Sequence, residues 1–152
     1  MKKVIFDTDI GIDDAMALLF LHHAPDLDLI AITTGFGNAS VSDTTRNALY
    51  MKELFNMSAA VYAGAAMPVG SALGEGYADF VHGKNGLGDI PLTTPMCEAE
   101  AMPAAEAIVE LVRANPHELS IVAVGRMTNL AMALALDPEL PSLIKELIVM
   151  GG

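Results

Sequence analysis

The chain has 152 residues, of which 53% are hydrophobic, so it is long enough and apolar enough to pack as one globular domain. Its net charge of −11, from 19 acidic and 8 basic residues, argues against a nucleic-acid partner, which would need clustered Lys and Arg, and favours a cation or a small polar ligand. No run reaches the roughly 18 apolar residues of a membrane span and no secretory leader follows Met1, so we expect no membrane partner and a cytoplasmic location.

Strand and helix patterns alternate along the chain. A continuous apolar run with β-branched and aromatic residues predicts a first strand at residues 3–8, and a helix with acids at its N-terminus follows at Asp13–Ala24. The later predicted elements are a strand within 27–38, a helix at 40–56, a strand at 59–64, a helix at 103–114, a strand at 119–125, a helix at 129–136 and a final strand at 146–152. This alternation is typical of βαβ units. It predicts one α/β domain over residues 1–152, with a doubly wound, predominantly parallel, Rossmann-like sheet and helices on both faces.

Two segments depart from this alternation. From about residue 65 to residue 102 the chain is rich in Gly and Pro, and because structureless loops of such length are uncommon in compact domains, we expect a functional or mobile loop there. The final strand has the pattern of a central, buried strand, yet the sequence stops at Gly152, where folds of this class build their site. We therefore expect a truncated form of a longer protein.

Four aspartates lie between the first strand and the first helix: Asp7, Asp9, Asp13 and Asp14. Ligands of open α/β sheets bind at the carboxyl ends of the strands, which is where these acids are placed. Converging carboxylates repel one another and need a cation or a shared proton, and oxygen ligands favour a hard ion such as Ca²⁺ or Mg²⁺. Helix capping accounts for one or two of the four at most. The cluster therefore predicts a metal site.

Two interpretations of this cluster rest on short motifs. An EF-hand loop counted from Asp7 needs Gly at position six and Glu at position twelve, where this chain has Ile12 and Leu18, so that interpretation fails. Asp7-Thr8-Asp9 also resembles, only weakly, the D-x-D of haloacid-dehalogenase-type phosphotransferases. That alternative implies a Mg²⁺-dependent phosphatase, with Asp7 as the nucleophile and Asp9 as the acid/base.

A closer resemblance runs through the whole chain. DTDIGIDDAMAL at residues 7–18 resembles the signature DTDPGxDDAxAL of the nucleoside hydrolases that prefer inosine and uridine. AITTGFGN at 31–38, VHGKNGLGD at 81–89, VAVGRMTNLAMAL at 122–134 and IKELIVMGG at 144–152 resemble later blocks of that family, in the same order. Linked motifs are more specific than a single one, so the chain resembles the N-terminal half of such a hydrolase.

The resemblance implies the nucleoside hydrolase fold and a calcium-dependent reaction, in which water cleaves the N-glycosidic bond of a ribonucleoside to give ribose and a free base. It implies that Asp9 is a Ca²⁺ ligand and also the catalytic base that activates the attacking water. Asp14 and the backbone carbonyl of Thr128 are implied as further Ca²⁺ ligands. A pocket of carboxylates is chemically suited to this reaction, since bond cleavage builds positive charge on the ribosyl ring.

The substrate contacts are also implied by the resemblance. Asp13 and Asn38 would hold the ribose hydroxyls, His82 would line the base pocket, and Asp7 would be a supporting acid. Simpler roles stay open for some of them: Asn38 as a turn residue, His82 as a mobile surface side chain, and Thr128 as the N-cap of its helix. The partners implied are a small-molecule ribonucleoside and further copies of the chain in a homo-oligomer.

The chain also departs from the family pattern. Ile10 replaces the usual Pro of the signature, and Arg126-Met127 replaces a small or Pro-Leu pair, which places a cation near the implied metal. The family's later half, with another calcium-binding Asp, a His near the leaving base, and Asn and Glu contacts to the ribose, has no counterpart in these 152 residues. A further alternative is therefore an inactive remnant that acts only through self-association.

Overall fold

The computed structural model of the chain describes residues 1–72 and 76–151. Its elements, in chain order, are β1 (Lys2–Thr8), α1 (Ile12–His23), β2 (Leu27–Thr34), α2 (Val41–Leu54), β3 (Ala60–Ala63), α3 (Asp79–His82), α4 (Ala104–Ala114), β4 (Leu119–Ala123), α5 (Thr128–Leu136), α6 (Leu140–Leu143) and β5 (Glu146–Val149). All the predicted strands and helices are present, with ends that differ by a few residues at most.

The five strands form one parallel sheet in the order β3-β2-β1-β4-β5. The strand order reverses at β1, which pairs with β2 on one side and β4 on the other. Asp7 of β1 lies in register with Thr33 of β2 and Ala123 of β4, so these three strands end at the same level. This arrangement confirms the predicted α/β fold and creates the switch point at which ligands of such sheets bind.

Hydrophobic side chains pack on both faces of the sheet. Phe6 of β1 joins one core cluster with Leu18 of α1 and Ala48 of α2. Ile5, which points to the opposite face, joins a second cluster with Ile108 of α4. Full burial of one such large side chain contributes about 2–3 kcal/mol, and the two layers together fix the position and height of β1.

The final strand lies at the edge of the sheet. Its sequence pattern is that of a central, buried strand of a longer protein, whereas β5 lies at the edge of this sheet, where β4 is its partner among the described residues. Its Leu147, Ile148 and Val149 side chains are 46%, 51% and 43% exposed. The apolar pattern of β5 is real, but nothing in the described chain covers it.

The long Gly- and Pro-rich segment is not structureless. Within its described part, α3 forms a single helical turn, and Glu100 makes an isolated parallel bridge to Tyr62 of β3. The helix α6 was also missed, because four residues are too few to show a helical period. In residues 1–72 and 76–151, the helices are all too short or too polar to cross a bilayer.

Candidate active site at the strand ends

A cavity of about 620 Å³ opens at the carboxyl ends of the central strands. Five of the residues singled out from the sequence line it: Asp9, Asp13, Asp14, Asn38 and His82. They come from the β1–α1 turn, from the segment after β2 and from α3, and the remaining wall includes Tyr77, Phe80 and Arg126. The structure thus brings together side chains that are up to 73 positions apart in sequence (Asp9 to His82).

Two buried carboxylates form the floor of the cavity, and one asparagine holds both of them. Asp9 is 7% exposed and Asp14 is 4% exposed. The Asn38 backbone N–H donates to Asp9 Oδ2 at 2.8 Å, and its side-chain Nδ2 donates to Asp14 Oδ2 at 3.1 Å. Within residues 1–72 and 76–151, neither carboxylate has a Lys, Arg or His ion-pair partner within 4.0 Å.

The local backbone explains how these acids are placed. The Gly11 N–H donates to Asp14 Oδ2 at 2.9 Å, so Asp14 also caps the first turn of α1, where a negative charge is favoured. The segment after β2 passes so close to Asp9 that a Cβ on Gly37 would lie 1.9 Å from Asp9 Oδ2. A residue without a side chain is therefore required at that position.

Burial dominates the electrostatics of the two floor acids. The pKa of Asp14 is raised to about 6, chiefly by desolvation; the Gly11 hydrogen bond opposes the shift, and the neighbouring charges of Asp9 and Asp13 add to it. Desolvation also raises the pKa of Asp9, although the Asn38 hydrogen bond and the charge of Arg126 partly offset it. Both carboxylates therefore lack the solvation that their charged forms need.

Asp7 lies behind the cavity and not in it. It is 1% exposed, and its Oδ1 accepts hydrogen bonds from Thr33 Oγ1 at 2.7 Å and Asn129 Nδ2 at 2.8 Å. Burial raises its pKa to about 6. A nucleophile must reach its substrate, so the phosphotransferase interpretation, in which Asp7 attacks, is wrong for this structure.

His82 is held against the first helix. Its Nδ1 accepts a hydrogen bond from the Ile12 backbone N–H at 3.2 Å and lies 3.8 Å from Asp13 Oδ1. The His82 side chain is 12% exposed, whereas that of Asp13 is 69% exposed. His82 is therefore largely buried, and both side chains line the cavity.

Thr128 is the predicted site residue that the structure does not bring to the cavity wall. It is the first residue of α5, but the N-cap is Met127, and no side-chain hydrogen bond caps the helix, so the predicted capping role is wrong. Arg126, two residues earlier, does line the cavity, and its Cζ lies 4.9 Å from the centroid of the Phe36 ring. The role of the Thr128 carbonyl as a metal ligand stays a prediction.

Sequence reasoning missed two buried asparagines next to the site. Asn129 links Asp7 to Thr34 O at 2.9 Å through its Nδ2, and its Oδ1 accepts from the Ala65 backbone N–H at 2.9 Å. Asn47 on α2 is fully buried. The sequence feature that could have identified Asn47 is a polar residue on the apolar face of a helix. The feature that could have identified Asn129 is its place in the TNLA block.

The donor set fits a hard cation, although the site is incomplete. In the described ranges, no group of three or more His, Cys, Asp or Glu side chains is placed to hold a metal. Asp9 and Asp14 each keep an Oδ1 that accepts no hydrogen bond from another described residue. Two buried, unpaired carboxylates with free oxygens suit an ion such as Ca²⁺, which takes six to eight oxygen ligands and would need further donors.

Comparison with known proteins shows the family of the chain. Residues 4–152 match the family described as inosine-uridine preferring nucleoside hydrolase. Uridine nucleosidase 1 of Arabidopsis thaliana is 42% identical over 152 residues, which cover 99% of this chain and 45% of that protein. A non-specific ribonucleoside hydrolase of Salmonella newport is 40% identical over 149 residues, which cover 98% of this chain and 48% of that protein.

Solved structures give the same result. A plant nucleoside hydrolase superimposes with a TM-score of 0.95 at 40% identity, covering 99% of this chain and 48% of that one. A purine-preferring ribonucleoside hydrolase from Gardnerella vaginalis also gives 0.95, at 34% identity, covering 99% of this chain and 49% of that one. The chain belongs to the inosine-uridine preferring nucleoside hydrolase family. It spans about half the length of the relatives it matches.

Proposed function

We propose that the whole protein hydrolyses the N-glycosidic bond of ribonucleosides in a calcium-dependent reaction. The observation that carries this proposal is the pair of buried carboxylates, Asp9 and Asp14, bridged by Asn38 at the ends of the central strands. Family membership supports the reaction class. The names of the relatives include uridine, purine and non-specific preferences, so we propose a ribonucleoside without assigning its base.

Asp9, Asp14 and the Thr128 carbonyl are the residues that would hold the calcium. When bound, the ion would act as a Lewis acid that fixes the sugar hydroxyls and lowers the pKa of water. Asn38 keeps both carboxylates oriented toward the same space, because its two N–H groups bind one oxygen of each. The calcium would also neutralise the charge that burial makes costly at these acids.

The reaction itself needs a base and a site that tolerates positive charge. Asp9 would take the proton from the attacking water, whose oxygen bonds to the anomeric carbon as the bond to the base nitrogen breaks. The electron pair of that bond leaves with the base, which then takes up a proton. Asp13 and Asn38 would bind the ribose, and His82 would contact the base. The acidic cavity stabilises the oxocarbenium-like transition state.

Location and assembly complete the proposal. We propose a cytoplasmic protein that forms a homo-oligomer, with a ribonucleoside and no nucleic acid or membrane as its partner. In the described residues of the 152-residue chain, the apolar edge of β5 is exposed and is available for self-association of that chain. If the chain is instead an inactive remnant, it would self-associate through the same edge.

Replacement of Asp9 by Ala tests the proposed reaction. We expect the protein to release ribose from inosine or uridine when calcium is present, and Asp9→Ala to lower kcat by at least about 10²-fold because the base is lost. Ribose release is measured with a reducing-sugar assay, and circular dichroism checks the fold. Asp26→Ala, which removes an exposed acid elsewhere, is the control that should keep full activity.

Three results would count against the proposal. They are no ribose release with calcium present, an Asp9→Ala rate equal to that of the wild type, and full activity after removal of calcium with a chelator. Absence of Ca²⁺ and ribose binding by calorimetry would leave the self-associating remnant as the function of the 152-residue chain.

A further inference from the structure

Asn47 on α2 connects two segments that carry cavity-lining residues, the turn that follows Asp9 and the segment that follows His82. Its Nδ2 donates to the Ile10 carbonyl in the β1–α1 turn at 3.3 Å and to the Asn85 carbonyl at 2.8 Å. Its Oδ1 accepts from Arg46 Nη2 at 3.1 Å. The side chain is 0% exposed, and all of its hydrogen-bonding groups are used. Such a satisfied, fully buried amide fixes the relative position of the segments that it connects.

The segment held by Asn47 behaves as a compact unit that carries His82. The Gly88 N–H donates to the His82 carbonyl at 2.7 Å, which closes the turn that follows α3. The Asn85 Oδ1 accepts from the backbone N–H groups of Leu87 at 2.9 Å and Asp89 at 3.0 Å. Leu87 is 7% exposed and belongs to the core cluster on the α1/α2 face of the sheet. Displacement of this unit would therefore displace His82 as well.

Gly86 allows the close approach that the Asn47 contacts require. Its φ of +81° lies in the left-handed region, where residues with a Cβ are strained. A Cβ at Gly86 would lie 2.9 Å from Asn47 Nδ2 and 3.2 Å from the Ile10 carbonyl oxygen. The backbone at Gly86 therefore packs closely against both Asn47 and Ile10.

We propose that Asn47 is a positioning residue: it holds the His82-bearing segment 82–89 at a fixed distance from the Asp9 turn and so sets the nucleoside affinity of the cavity. The claim about nucleoside affinity rests on the proposed function. The claim that Asn47 holds the segment in place does not depend on it. The role requires two N–H donors for two carbonyls and one acceptor for Arg46, a combination that Asp and Leu lack. Asn47 does not line the cavity and acts only through Ile10 and Asn85.

The test replaces Asn47 by Leu, a side chain of similar size without hydrogen bonds. Trypsin cleavage after the exposed Lys84 reports local opening of the segment, because slow cleavage follows the population of the open form. We expect cleavage to accelerate about 10-fold or more in Asn47→Leu, since the hydrogen bond to Asn85 in the segment and the hydrogen bond to Ile10 in the Asp9 turn are both lost. Gly86→Ala perturbs the same contact from the other side and should give the same result. It also keeps the test valid where Asn47→Leu does not fold.

A second readout separates positioning from general stability. Calorimetry with inosine or uridine should show an affinity about 10- to 100-fold weaker in both variants, because the cavity wall is misplaced. The calcium affinity should stay at the wild-type value, since Asn38 still orients Asp9 and Asp14. Asn115→Leu, the same change at the end of α4 and remote from the cavity, is the matched control and should alter neither Lys84 cleavage nor ligand affinity.

The outcomes are distinguishable. Wild-type cleavage at Lys84 in folded Asn47→Leu and Gly86→Ala would overturn the inference. Equal losses of calcium and nucleoside affinity without faster cleavage would also overturn it, because they would indicate a merely structural role. If the wild-type protein binds no nucleoside, the proposed function fails, and Lys84 cleavage alone decides whether Asn47 holds the segment.

Discussion

Asn38 and Gly37 are neighbours in sequence and position the same carboxylate, Asp9, in different ways. Asn38 supplies two N–H donors to two carboxylates, whereas Gly37 supplies only space, because its backbone passes beside Asp9. Asn38 could be singled out from the sequence, since the resemblance implied it as a contact to the ribose hydroxyls, although its hydrogen bonds to the two carboxylates could not. The glycine could not, because only the folded structure shows which side chain its missing Cβ would meet.

Replacement of Gly37 by Ala tests this close packing. Its Cβ would lie 1.9 Å from Asp9 Oδ2, so Asp9 or the backbone must move. We expect a loss of about 1–3 kcal/mol in the free energy of unfolding, as is typical of overpacked positions, together with weaker calcium binding. Urea denaturation and calorimetry measure the two effects.

The matched control lies two residues earlier in the same segment. A Cβ on Gly35 would have its nearest neighbour, Asn129 Nδ2, at 3.5 Å, which is an ordinary contact. Gly35→Ala should therefore leave calcium affinity unchanged and alter stability much less. Equal effects at the two glycines would show that the approach to Asp9 is not the cause.

Helices and strands were predicted well where their apolar period is long. The strands β1 and β2 and the helices α1, α2, α4 and α5 follow from pattern alone, but α3 and α6 span four residues each and depend on local hydrogen bonds. Asn47 was overlooked for a related reason. Its two carbonyl partners, at Ile10 and Asn85, lie 37 and 38 positions away, a separation that helical periodicity does not reveal.

One ion pair joins α4 to the end of α5. Arg113 binds Asp137 in a bidentate manner, with Nε to Oδ2 at 2.6 Å and Nη2 to Oδ1 at 2.8 Å, and it also contacts Glu139 at 3.0 Å. Asp137 is 5% exposed. The hydrogen bonds from Arg113 hold the pKa of this carboxyl below its ordinary value of 3.8. Planar, bidentate pairs of this kind are more specific than single contacts.

The stability that this pair contributes should depend on pH. Because the folded-state pKa of Asp137 is lowered, the contribution is complete above pH 3.8 and is lost as the pH falls through the lower folded-state value. We expect Asp137→Asn to lower the melting temperature at pH 7 and to approach the wild type in strong acid. Glu139→Gln, which alters an exposed contact, should have a smaller effect. A difference that persists unchanged at acid pH would contradict this account.

Across the part of the chain that the structure describes, one apolar edge of the sheet is exposed. The strand β5 presents Leu147, Ile148 and Val149 to solvent, and Met150 follows at 61% exposure. Proteins usually protect such edges with charge, Pro or a covering element. The sequence pattern of β5 alone predicted a buried strand, because a pattern reports what a strand can pack against and not what is present beside it.

Self-association through this edge should be measurable. We expect the average mass of the 152-residue chain to rise with concentration in sedimentation velocity experiments. Ile148→Lys should shift the chain toward the monomer, because a charged side chain on an edge strand opposes further pairing. Met16→Lys, on the 66% exposed side chain of α1, is the control. Association that is equally strong in both variants would place the contact elsewhere.

The position of β1 between β2 and β4 also has a consequence for the order of folding. On the β2 side, Lys3 of β1 lies in register with Asp28, which is close in sequence, but on the β4 side it lies in register with Leu119, 116 residues later. Non-local pairings of this kind form slowly. Before β4 has been synthesised, β1 is therefore an edge strand of an incomplete sheet, and the Asp9 turn that follows β1 lacks its neighbour on that side. Ligand-binding capacity should appear late in synthesis, as a single cooperative step.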